Sequence, residues 1–144
     1  MADTTFTDGV TVVPAAWLND VNTATYRTVI NVKNQPYSAV GNGIADDTAA
    51  IVAAIVAAKA ANAKLVFPAG TYAVSSTLAF GGAGVKNVAY EGQGKVTIQS
   101  SAVGPIATID AGGAGARNDG IQFKNFVLKG TGASTYGLYT RGVS

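Results

Sequence analysis

Asp46-Asp47-Thr48-Ala49-Ala50-Ile51-Val52 and, further along, Leu65-Val66-Phe67-Pro68-Ala69-Gly70-Thr71-Tyr72 are the two stretches whose pairing decides the fold. In the first, Asp46 or Asp47 serves as a helix cap, and both set negative charge against the positive end of a helix dipole. From Thr48 to Ala61 the sequence is rich in alanine, and Ile51, Val52, Ile55 and Val56 make an apolar ridge along one side. An amphipathic α-helix is expected there, ending near Asn62. In the second stretch the period changes from helical to strand-like, and an apolar triplet runs directly into a Pro-Ala-Gly turn.

The same arrangement recurs downstream. Val88-Ala89-Tyr90 precedes Glu91-Gly92, Ala107-Thr108-Ile109 precedes Asp110, and Phe126-Val127-Leu128 precedes Lys129-Gly130. The triplets begin at 65, 88, 107 and 126, so the spacing is 23, 19 and 19 residues. Lys86-Asn87-Val88-Ala89-Tyr90-Glu91-Gly92 and Lys124-Asn125-Phe126-Val127-Leu128-Lys129-Gly130 resemble each other closely, which places Asn87 and Asn125 at equivalent rungs of a side-chain ladder. Second strands fit between, at Tyr72-Ala73-Val74, Val96-Thr97-Ile98, Ile121-Gln122-Phe123 and Leu138-Tyr139. Short strands, glycine turns and a period of about twenty residues are the signature of a solenoid, whose coils bury their apolar faces on one another. An antiparallel sandwich is the competing reading. It would require hairpin turns between long alternating strands, and these are scarce here.

A solenoid explains the preceding helix. Its first coil exposes unpaired backbone and apolar side chains, an aggregation hazard unless covered, and Ile51, Val52, Ile55 and Val56 are expected to form the inner face of a lid. The other end carries no such element. The sequence reaches Thr140-Arg141-Gly142-Val143-Ser144 in mid-coil, and these residues are expected to be the front of a longer polypeptide.

The stretch from Asn42 to Ile51, followed by Leu65 to Tyr72, resembles the opening of the pectate-lyase-like β-helix family. That family begins with a Gly-Asp-Gly loop, an Asp-Asp-Thr helix start and a Phe-Pro-x-Gly-Xaa-Tyr turn; here Asn42 stands for the loop Asp. The resemblance covers residues 31 to 144. It implies a mainly β chain: a right-handed parallel β-helix start, capped by the α-helix. The same scaffold carries lyases, hydrolases and inert spikes, so it implies no particular activity.

Residues 1 to 30 are expected to form a separate strand-helix segment. Val10 to Val13 read as a short strand, and Pro14 suits a first helical turn. Trp17, Val21 and Ala24 fall at helical spacing with Leu18 alongside. A helix of about thirteen residues is marginal alone in water, so this stripe needs a partner: the protein's own body, symmetry mates or a tail hub. Thr5 to Val12, followed by Ala16-Trp17-Leu18-Asn19-Asp20-Val21-Asn22, resembles the N-terminus of phage tail fibres and tailspikes. The resemblance implies virion attachment through residues 1 to 30 to a tail hub or baseplate protein. It also implies a homotrimer with Trp17, Leu18 and Val21 in the contact, and a bacterial surface glycan bound by the downstream part. The expected location is the phage tail. Two further readings are a non-catalytic front of a polysaccharide lyase or glycoside hydrolase, and a short tail adaptor complete in itself.

Composition narrows the chemistry. Charged residues are 12% of the 144, about half the usual share, and 18 are glycine. The net charge is +2 and the ten Lys and Arg are scattered, so nucleic acid is not an expected partner. With neither Cys nor His in the sequence, disulfides, thiol nucleophiles and histidine triads are excluded for these residues. No metal or other cofactor is expected. The longest apolar run, Ala49 to Ala58, is too short to span a bilayer, so no membrane span is expected.

No catalytic residue is assigned. Asp46 and Asp47 are adjacent carboxylates, but glycoside hydrolysis sets its pair across a sugar cleft, and helix capping accounts for them. Glu91, Asp110 and Asp119 fit turn chemistry. Lys95 follows Gly92-Gln93-Gly94, yet Ala89 and Val96 break the phosphate-loop pattern. The aromatic side chains of Trp17, Tyr26, Tyr37, Tyr136 and Tyr139 suit either sugar stacking or packing.

Overall fold

A computed structural model describes residues 28–112, 117–132 and 135–141. Residues 1–27, with the expected contact residues Trp17, Leu18 and Val21, lie outside the described residues, whereas Val29 and Ile30 of the expected attachment segment pair with Lys64 and Leu65. Eight strands and one helix follow in order: β1 (Val29–Asn31), β2 (Asn42–Asp46), α1 (Thr48–Ala60), β3 (Lys64–Val74), β4 (Leu78–Ala79), β5 (Ala89–Ser100), β6 (Gly104–Asp110), β7 (Gln122–Gly130) and β8 (Thr135–Arg141).

Every named strand pair is parallel. One sheet runs β1-β3-β5-β7 with β2 also on β3, and the other runs β4-β6-β8. The chain therefore alternates between two sheets and lays each strand on the one a full coil earlier, which is a parallel β-helix. The long strands β3 and β5 break register at Pro68/Gly70 and Glu91/Val96, so each bends around a corner and serves two faces. In the leading coil, α1 follows β2 as β4, β6 and β8 follow the long strands, and it packs on β4. The helix thus stands where that coil would otherwise place a strand of the smaller sheet.

The register differs from the sequence expectation. Lys64, Ala89 and Gln122 stack, so these coils are 25 and 33 residues long. The triplets beginning at 65, 88, 107 and 126 do not form one column. Leu65 stacks on Tyr90 and then Phe123, Phe126 stacks on Val96, and Ala107 lies between Leu78 and Leu138 in the other sheet. Apolar triplets occur on every face of the coil, and loops of unequal length between them hid the true period. Nor do Asn87 and Asn125 form a ladder. Asn125 lies within β7, at the corner where Lys124 pairs with Glu91 and Phe126 with Val96. The recurring corner is Asn62, Asn87 and Gly120, each two residues ahead of the stacked column and each at positive φ (47°, 52° and 66°). Asn and Gly are the residues that tolerate this left-handed conformation.

The core is a column of stacked side chains. Leu65, Phe67, Tyr72, Leu78, Phe80, Tyr90, Val96, Ile98 and Ile106 are buried. Phe80 meets Tyr90 edge-on at 4.7 Å between ring centres, and Phe123 stacks on Phe126 at 4.4 Å. Such pairs contribute about 0.5–1.5 kcal/mol each beyond their area burial. The two buried tyrosine hydroxyls are satisfied inside: Tyr72 donates to the Pro68 carbonyl and Tyr90 to the Phe80 carbonyl, both at 2.7 Å. Burial pushes both phenols well above their ordinary pKa. Adjacent coils approach closely at Gly92, where a Cβ would sit 2.2 Å from the Asn125 carbonyl oxygen.

The helix lies where the sequence places it but turns a different face inward. Ile51, Ala54, Ile55 and Ala58 are its buried residues. Val52 and Val56, expected on the inner face, are 40% and 60% exposed. At about 100° per residue, positions 51, 54, 55 and 58 form one stripe and 52 and 56 the next. Ala54 and Ala58 let the backbone approach the core closely. The outer face is apolar too, so α1 is not amphipathic in the expected sense.

Candidate functional site

The adjacent carboxylates have separate tasks. Asp47 occupies the N-cap position of α1 but makes no side-chain bond to the helix. It is 2% exposed, and its two oxygens accept from the Val40 amide at 2.6 Å and the Gly41 amide at 2.9 Å. Asp47 therefore ties the loop before β2 to the start of α1, a role the capping expectation missed. Asp46 does the capping. It accepts from the Thr48 amide at 2.9 Å, from the Thr48 hydroxyl, and from the Ser75 hydroxyl at 2.6 Å. The Ser75 bond first, then those of Thr48, lower its pKa to about 2. This knot joins the helix start to the end of β3.

The other candidates are also placed. Glu91 pairs with Lys64, the neighbouring coil's side chain on the same face; that hydrogen bond holds its carboxyl below the ordinary range. Asp110 accepts from the Gly112 amide at 2.8 Å and from Arg141 at 3.0 Å across the coil step, both of which lower its pKa. Asp119 lies at the corner, its carbonyl accepting from the Asn87 amide at 2.8 Å. Lys95 is exposed beside Gly94. Tyr37 packs against the core, while Tyr136 and Tyr139 are exposed on β8; Tyr26 lies outside the described residues. Among the described residues, no three of Asp and Glu converge as metal ligands, and no helix is long and apolar enough to cross a membrane.

The surface feature absent from the sequence reading is a groove between α1 and β4, lined by Val52, Ile55, Val56, Lys59, Thr77 and Ala79. Lys59 closes one end: its Nζ donates to the carbonyls of Ala79 and Gly81, both at 2.5 Å. Half-burial lowers its pKa. The signal available in the sequence was a lone lysine near the end of an alanine helix, where a cation also meets the negative end of the dipole. Its true partners, 20 and 22 residues away, could not be read there.

These coils define a class. The chain belongs to the rhamnogalacturonase A/epimerase, pectate-lyase-like family, whose model matches residues 29–133. Among solved structures it is similar to ORF18 of Geobacillus virus E2, at 23% identity and a TM-score of 0.67, over 88% of this chain and 25% of that one. It is also similar to the Dettilon tailspike protein, at 16% identity and a TM-score of 0.40, over 88% of this chain and 32% of that one. The chain thus spans between a quarter and a third of the length of these structures. No curated protein matches it.

Proposed function

We propose that this chain is the tail-proximal front of a phage tailspike or tail fibre. Residues 1 to 30 attach it to a tail hub or baseplate protein, with the stripe of Trp17, Leu18 and Val21 at a protein–protein contact. Residues 31 to 144 begin a homotrimeric β-helical shaft whose downstream part meets a bacterial surface glycan. The observation that carries the reading is the position of a segment resembling tail attachment directly ahead of helix-capped pectate-lyase-like coils. The Asp46 and Asp47 arrangement supports it, since both carboxylates serve to lock the first coil rather than to face a cleft. Phage that make the protein without residues 1 to 27, a deletion that spares β1, should release particles lacking the spike, although the truncated protein still folds. Particles that incorporate the truncated protein normally would overturn the attachment role.

The family description favours a second reading, in which the whole protein degrades polysaccharide and these residues are its non-catalytic front. Incubation of the full-length protein with host capsule or lipopolysaccharide would then shorten the polymer. An unchanged chain-length distribution would remove it.

A further inference from the structure

The smaller sheet carries no unpaired charge. Its strands β4, β6 and β8 hold Asp110 and Arg141 as their charged residues, and these two pair with each other at 3.0 Å. The larger sheet differs. There β3, β5 and β7 hold Lys64, Glu91, Lys95, Lys124 and Lys129, four cations to one anion. On the smaller sheet Ala79, Thr108 and Tyr139 stack in register through three successive coils, and Pro105 stacks on Tyr136 beside them. Ala79 is exposed and Thr108 and Pro105 are half-buried, while Tyr136 and Tyr139 are 54% and 41% exposed. The Thr77 hydroxyl at the head of this surface already donates to the Pro105 carbonyl at 2.7 Å.

We propose that this face of the smaller sheet is where copies of the chain pack against one another along the axis of a homotrimer. Charge selects a second copy as the occupant. Cyclic symmetry sets residues near the axis against their own counterparts, so a cationic face would meet a cationic face, and such like-charge contacts are unfavourable. The larger sheet, with its excess of lysine, is unsuited to that position. The smaller sheet is neutral and meets itself without repulsion. Composition agrees, because interface cores are poor in charge and rich in tyrosine. So does direction. Stacked strands are ~4.8 Å apart, and the Ala79-Thr108-Tyr139 column runs along the solenoid axis, so a parallel copy meets it at every level. Small side chains at Ala79 and Pro105 leave room for close approach, and Tyr136 and Tyr139 supply the anchors.

The inference rests on the homotrimer of the tail reading and names its contact surface. It assigns the two exposed tyrosines to packing rather than to sugar.

The sequence holds no cysteine, so single introduced cysteines report which face lies between copies. The parent chain should sediment as a trimer. A short bis-maleimide should join chains of Ala79→Cys and of Tyr139→Cys several-fold faster than chains of Val127→Cys, a control at an exposed position of β7 in the larger sheet. Ala79→Cys keeps both tyrosines, so loss of the trimer in Tyr139→Cys alone would itself support the contact. A trimeric chain that links equally at the three positions, or faster at Val127→Cys, overturns the surface and leaves the trimer standing. A monomeric parent overturns surface and trimer together, whereas tail attachment is decided by the particle experiment above.

Discussion

Asp47 illustrates how much a single buried carboxylate can organise. With Asp47→Ala, the amides of Val40 and Gly41 lose a charged acceptor, and a destabilisation of about 1.5–3 kcal/mol is expected. Urea unfolding of parent and variant would measure it; a change under about 0.5 kcal/mol would mean that water replaces the carboxylate without cost. Asp46 predicts an acid dependence instead. Its pKa falls from an ordinary 3.8 to about 2 in the folded chain, so the unfolded state binds the proton more readily. Its contribution is present above pH ~4 and lost as pH falls through the folded value. The gap in melting temperature between the parent and Asp46→Asn should therefore close between pH 4 and 2; a gap that stays constant contradicts the assignment. The sequence showed that both acids sit at a helix start. It did not show which one caps, because the partners Val40, Gly41 and Ser75 are brought there by the path of the coil.

At the scale of one element, α1 shows what periodicity can and cannot decide. Its existence and limits follow from the alanine run and the acids ahead of it. Its orientation does not, because Ile51 and Ile55 have much the same hydrophobicity as Val52 and Val56. Packing settled the matter: Ala54 and Ala58 allow close approach on the 51–55 side. Two substitutions separate the faces. Ile55→Asp places an unpaired charge at a buried site and should cost about 3–5 kcal/mol. Val56→Asp, on the exposed side, should change stability by no more than about 0.5 kcal/mol. Thermal melts of the two side by side check this, and equal effects would contradict the observed orientation. The groove follows from the same asymmetry, and no stretch of sequence announces it, since Thr77 and Ala79 meet Val52 and Val56 only after the chain has turned a corner.

Across the whole molecule, the solenoid was legible as a class and its register was not. Short apolar triplets before glycine turns signalled stacked coils, and the helix signalled a closed first coil. The pairing of Tyr90 with Leu65, and of Phe126 with Val96, was hidden because the triplets of all faces look alike and the connecting loops differ in length. The positive-φ corner at Asn62, Asn87 and Gly120 marks the coils better than the triplets do, yet it needs known dihedrals to be recognised. Fold and site also differ in what they imply. The pectate-lyase-like coils establish the family, while the tail role rests on a segment ahead of them.

That role has one direct test: mass spectrometry of purified, nuclease-treated phage particles for the tryptic peptide of residues 96–117, which runs from β5 into the loop after β6. A tail component should yield this peptide in constant ratio to known tail proteins, three copies for each spike position. Its absence from particles, with the protein abundant in the lysate, would contradict the account and turn attention to a free polysaccharide-acting protein.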